Sequence, residues 1–134
     1  MNIEEKIAHL GFIQNVISRM GGNSFLLKGW SITLVAAIFV LSSKDADSRF
    51  LIIAYFPVIV FWALDAYFLR QEKLYRELYS EVANDKSKNR NFCMNTIAFE
   101  EKVESIISVA LSKTLLLFHG TVISIILFAM FFLT

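Results

Sequence analysis

The sequence predicts an all-α integral membrane helical bundle: three transmembrane helices, an N-terminal amphipathic helix and a cytoplasmic helical stalk. Three observations predict it. Residues 25–43, 50–69 and 114–134 are apolar runs of about the 20 residues a bilayer span needs. The chain is 56% hydrophobic with a mean hydropathy of +0.56. Only 19% of its residues are charged, below the roughly 25% of soluble domains. A soluble protein of 134 residues has too little polar surface to hide three such helices in its core. The length accommodates one domain, residues 1–134.

Residues 3–20 read as an amphipathic helix. Ile3, Ile7, Leu10, Ile13, Ile17 and Met20 fall at helical spacing. Its polar face carries Glu4, Glu5 and Arg19, a balanced set that favours packing on other helices over lying on lipid headgroups. The mixed charge of this segment, and the length of the apolar run after it, argue against a signal peptide. Gly21-Gly22 predicts a break, and Asn23 or Ser24 then offers an N-cap for the first span.

The second span, 50–69, contains Pro57, which predicts a kink. It has no stop signal after Leu69, and the stripe Leu64, Tyr67, Gln71, Leu74, Leu78 and Val82 continues it as a cytoplasmic helix to residue 83. Residues 84–98 are polar and read as a loop. A second cytoplasmic helix is expected over 99–113, with Val103, Ile106, Ile107 and Ala110 on one side, running unbroken into the third span at 114. The two would form an antiparallel stalk, with Leu74, Leu78, Val103 and Ile107 closing it and the N-terminal helix packed alongside.

Eleven of the thirteen Lys and Arg residues lie before the first span, at its start (Lys28), or between the second and third. Positive charge is retained on the cytoplasmic side. This predicts a bacterial inner (cytoplasmic) membrane protein with the N-terminus inside, the Lys44–Arg49 turn outside and the C-terminus outside.

Inside the spans, Asp65 is the most informative residue. A lone carboxylate there costs several kcal/mol unless it is paired or hydrated, about 3 on insertion scales. Lys28 and His119 match its depth, since Asp65 lies about 7 Å from Arg70 and His119 six residues beyond Lys113. The three form a candidate intramembrane polar cluster. It fits either a proton or ion relay, or a salt bridge fixing helix register. The outer halves of the spans offer no polar route beyond Tyr55, which favours the salt bridge. Trp62, Glu72, Arg76 and Tyr79 share a face of the second helix with Asp65, and Gly120 and Ser124 form a small-xxx-small pair on the third span. These six are candidate oligomer contacts.

No phosphate-binding glycine loop, metal-ligand cluster or nucleophile with a base is present, so neither an enzyme nor a cofactor or metal is expected. Net charge is +1. The small basic loop Lys86, Lys88 and Arg90 is too slight for a nucleic-acid partner to be expected. The expected partners are membrane lipid, further copies of the chain and a cytoplasmic protein.

The run Trp62-Ala63-Leu64-Asp65-Ala66-Tyr67-Phe68-Leu69-Arg70-Gln71-Glu72, followed by Arg76-Glu77-Leu78-Tyr79, has a counterpart in small bacterial membrane proteins. So has Arg19-Met20-Gly21-Gly22-Asn23-Ser24 before Lys28-Gly29-Trp30. Both stretches resemble the RipA-like octameric membrane proteins. Some relatives of that kind occur in anti-phage settings, including a pore-forming accessory of an RNA-targeting CRISPR nuclease. The resemblance covers residues 12–80. It implies a homo-oligomeric ring, an octamer, acting as a pore or membrane-permeability effector in antiviral defence. The rival expectation is a non-conducting scaffold or accessory subunit that recruits a cytoplasmic partner.

The charge distribution makes the topology testable through Cys93, the lone cysteine. An impermeant thiol reagent is expected to label it in inverted vesicles and not in intact spheroplasts. Labelling in spheroplasts contradicts the three-span topology.

Overall fold

The computed structural model describes residues 3–45, 49–84 and 94–132. Lys86, Lys88, Arg90 and Cys93, and with them most of the expected 84–98 loop, lie outside the described residues. So do residues 46–48 of the turn between the first two spans. Described residues form helices α1 (Ile3–Asp45), α2 (Arg49–Ala83), α3 (Ile106–Ala110) and α4 (Lys113–Phe132), with a 3-10 turn at Ile97–Phe99. No strand occurs among them. The all-α class holds, and α1, α2 and α4 are each long and apolar enough to cross a membrane.

α1 corrects the expected break at Gly21-Gly22. It is one helix of 43 residues, about 64 Å long at 1.5 Å per residue. Each glycine costs about 1 kcal/mol relative to alanine in a helix interior, and the long helical runs on both sides, held against α2, outweigh that. Gly21 sits where α1 passes α2: a β-carbon there would lie 3.8 Å from the Glu72 carboxylate. Asn23 and Ser24 are therefore interior helical residues and cap nothing.

α2 passes through Pro57 without interruption. Proline at that position removes one i→i−4 hydrogen bond, a loss helices tolerate where neighbouring helices support them.

The segment expected as a continuous 99–113 helix is instead a 3-10 turn, an irregular stretch and the short α3. Two local interactions account for this. The Ser105 side chain accepts a hydrogen bond from Ser108 N–H at 3.3 Å, which starts a fresh helix there. Arg70 reaches across from α2 and donates to the backbone carbonyls of Glu104 (3.0 Å, from Nε) and Glu100 (3.5 Å). Those carbonyls are thus committed to a side chain of another helix. Lys73 adds an ion pair to Glu104 at 3.0 Å. A second break follows at Leu111-Ser112, after which α4 begins.

The stalk is consequently built from α1 and α2. Ile13 and Ile17 of α1 meet Leu74, Leu78 and Val82 of α2, and Phe99 closes the end, with Val103 and Tyr79 packed against the cluster. Ile107, expected in this core, is exposed. A middle layer joins Ala66 to Val109 and Leu115. The far layer packs Val35 of α1, Ala54 and Val58 of α2, and Val122 and Ile126 of α4. α4, at 20 residues and about 30 Å, matches the thickness of a hydrocarbon core. α1 and α2 extend well past its start.

Because α1 is continuous and a β-carbon at position 22 meets nothing within 4 Å, Gly22→Ala is expected to raise the unfolding temperature in detergent, by a stabilisation of up to about 1 kcal/mol. A destabilisation indicates that the chain bends there.

Candidate functional site: a buried polar cluster joining three helices

α1, α2 and α4 converge on the Asp65 carboxylate, which is fully buried. The periodicity of each helix sets this up. Ser24, Lys28 and Ser31 recur at helical spacing on the inward face of α1. Asp65 and Ala66 lie on the buried face of α2. His119 shares the buried stripe of α4 with Leu115, Val122 and Ile126.

Both carboxylate oxygens are occupied. Oδ1 accepts the Ser24 hydroxyl. Oδ2 accepts Lys28 Nζ at 2.6 Å and faces His119 Nε2 at 2.8 Å. Lys28 Nζ also donates to Ser24 Oγ at 2.9 Å. It lies 5.8 Å from the centre of the Phe118 ring, within cation–π range. Its side chain is 24% exposed, whereas those of Asp65 and His119 are fully enclosed.

The His119 ring is fixed from two sides. Trp62 stacks on it with centroids 5.5 Å apart and planes 10° from parallel, and Phe118 meets it edge-on at 5.0 Å. Beside an ionised Asp65, which can only accept, Nε2 donates. Nδ1 is buried without a partner. The Trp62 indole N–H donates to the Ala110 carbonyl at 2.8 Å, satisfying one of the carbonyls left open where α3 ends.

Lys28, Asp65 and His119, the three residues of the sequence-level cluster, thus stand together, and Trp62 joins them. Ser24 was missed, because it reads as a cap once a break is placed at Gly21-Gly22. Its spacing of four residues before Lys28 was the signal available. Of the remaining candidate residues, Glu72 bonds Arg76 within α2, through Arg76 Nε at 3.0 Å and the guanidinium NH2 at 2.7 Å, and faces Gly21. Tyr79 packs on the stalk core. Ser124 donates to the Gly120 carbonyl at 2.8 Å within α4. Gly120 and Ser124 line an open groove on the outer side of α4 with Leu117, Thr121 and Phe128.

Chemically, the cluster pairs the Lys28 cation with the Asp65 anion and sets the His119 imidazole against the same carboxylate oxygen. Outward from it, the next polar groups are the buried, unpartnered Ser31 hydroxyl and Tyr55, whose hydroxyl contacts the Met130 sulfur at 3.2 Å. Neither extends a hydrogen-bonded chain from Asp65. Among the described residues, no group of three or more His, Cys, Asp or Glu side chains could hold a metal ion. No family model, curated protein or solved structure matches the chain.

The geometry supports a tie between helices. Asp65→Ala leaves Lys28 without its counter-ion and is expected to cost about 3–5 kcal/mol, as for other broken buried pairs. Asp65→Ala combined with Lys28→Met is expected to cost less than Asp65→Ala alone, read as thermal unfolding in detergent. Strictly additive losses show that the pair does not act as one unit.

Proposed function

We propose that the protein is an integral membrane protein of the bacterial inner membrane that assembles as a closed ring of identical subunits and controls membrane permeability. The observation that carries this reading is the unfilled outer face of the apolar helices. In their most apolar 18-residue stretches, α1 is only 17% buried, and α2 and α4 28% each. Exposed Phe56, Ile59, Leu117, Phe128 and Phe131 make these faces suitable for lipid or for another apolar helix. On α4 the face is concave around Gly120, where a β-carbon would meet nothing within 4 Å. Close approach of a neighbouring helix is therefore open there. Identical subunits meeting head-to-tail close into a ring when the rotation closes. The resemblance of residues 12–80 to the RipA-like proteins points the same way, towards an octamer and an antiviral role.

In such a ring the lumen beyond the Asp65 level is lined by apolar side chains. It is shut by dewetting at rest, and opening it dissipates the membrane potential.

A second reading, a non-conducting scaffold that presents the α1–α2 stalk to a cytoplasmic protein, is favoured by one feature. The intramembrane charged groups Lys28 and Asp65 are consumed inside the subunit, so neither is left to line a conduit.

Mass measurement in mild detergent and in lipid nanodiscs, paired with a membrane-potential dye during expression, tests both readings. The expected result is one oligomeric species together with depolarisation. A monodisperse monomer in both media removes the ring. An intact ring that never depolarises leaves the scaffold.

A further inference from the structure

The connector between the stalk and α4 reaches further towards the spans than a surface loop. Its depth is readable from its contacts with α2. Arg49 and Arg70 bracket 21 helical rises, about 31 Å, close to one hydrocarbon thickness of about 30 Å. Arg70 therefore marks the inner surface if α2 spans, and at Arg70 the connector is tied by the Glu104 carbonyl, 3.0 Å from Nε. Five residues later Val109 is fully buried in the layer containing Ala66. Ala66 lies four residues, about 6 Å, inward of Arg70. Next, Ala110 accepts the Trp62 indole N–H at 2.8 Å, and Trp62 lies eight residues, about 12 Å, inward. The helix then breaks at Leu111-Ser112 and the chain enters α4.

The outward side of this dip is apolar. Ile107 is 71% exposed, Leu111 57% and Ile106 45%. Leu116 and Leu117, in the first turns of α4, are exposed as well, so apolar exposure runs along the chain from α3 into the span.

Much of the backbone of the dip is provided for internally, as immersion in lipid favours, while the Ser112 hydroxyl is buried without a partner. Ser105 Oγ accepts Ser108 N–H. Val109 N–H bonds the Ser105 carbonyl, Leu111 N–H that of Ile107, Ser112 N–H that of Val109, and Leu116 N–H that of Ser112. Trp62 takes the Ala110 carbonyl.

We propose that residues 105–112 form a re-entrant wedge immersed in the inner leaflet, with Ile106, Ile107 and Leu111 facing phospholipid acyl chains. The proposal rests on the membrane-spanning reading of α2 and α4. The wedge widens the subunit at the inner leaflet only, beside the Trp62–His119 stack. Among the described residues of the connector, it meets lipid on one side and, through Trp62, the buried cluster on the other.

Site-directed spin labels in a Cys93→Ser background test it, in phosphatidylethanolamine–phosphatidylglycerol vesicles. Oxygen partitions into hydrocarbon and a neutral nickel chelate into water. Phe56→Cys, on the exposed side of α2 and away from the Gly120 groove, is the lipid control and Glu101→Cys the aqueous control. At Ile107→Cys, oxygen is expected to relax the label more strongly than the chelate, as at Phe56→Cys and opposite to Glu101→Cys. Ile106→Cys repeats the measurement should the first variant fold poorly. A label at Ile107 that responds chiefly to the chelate places α3 in water and overturns the wedge. Shielding from both reagents means that protein, including a second copy of the chain, covers the face, which also overturns it. If Phe56→Cys itself responds to the chelate, the spanning reading falls, and the wedge with it.

Discussion

Everything in this structure is arranged around a carboxylate that cannot be left alone. Asp65 is fully enclosed in a helix whose neighbouring layers are hydrocarbon. An isolated charge there is costly by several kcal/mol, so three helices each supply a group to it. α1 brings Ser24 and Lys28, α4 brings His119, and α2 carries the acid itself. Hydrocarbon side chains of similar size could fill the same space with many registers. A carboxylate with two filled oxygens admits one. The apolar layer of Val35, Ala54, Val58, Val122 and Ile126 is non-directional, and it takes its alignment from this point.

The aromatic groups extend that alignment to the connector. Trp62 is shared: its ring lies flat on His119, and its N–H holds the last carbonyl of α3. One side chain thus bears on both the α3–α4 break and the imidazole, whose orientation Phe118 and Asp65 also hold. Arg70 does similar work about two turns further along α2, gripping the backbone of Glu104 and, at longer range, Glu100. The connector is therefore held by the second helix at two heights, which together with the Ser105 cap favours the broken path over one long helix.

That grip explains where the sequence misleads. Residues 99–113 contain no glycine or proline, and a helical stripe can be drawn through Val103, Ile107 and Ala110. What interrupts them is the Ser105 cap on Ser108 N–H together with a side chain 30 or more residues away that bonds the Glu100 and Glu104 carbonyls, and no local pattern announces the second. At Gly21-Gly22 the error runs the other way. Two glycines look like a break, but the packing of α1 against α2 outweighs their conformational cost. The misplaced break then hid Ser24 from the cluster. By contrast Lys28, Asp65 and His119 could be matched by counting residues from the ends of the apolar runs. Charged and polar groups inside such runs are few, and equal depth leaves them little choice of partner.

Consider finally α1 as a beam. It runs unbroken from Ile3 to Asp45 and is pinned near Lys28, which stands 25 rises from one end and 17 from the other, arms of about 38 Å and 26 Å. A rigid rod pinned off-centre is a see-saw. A sideways push on the stalk tip reappears at the opposite end, reversed in direction and reduced to about two-thirds, in proportion to those arms. The charged contacts that hold Lys28 act as the fulcrum, and α2, pinned at Asp65, tilts with it. A push applied at the stalk tip is in this way carried to the far face of the bundle, since α1 and α2 are packed together on both sides of the fulcrum.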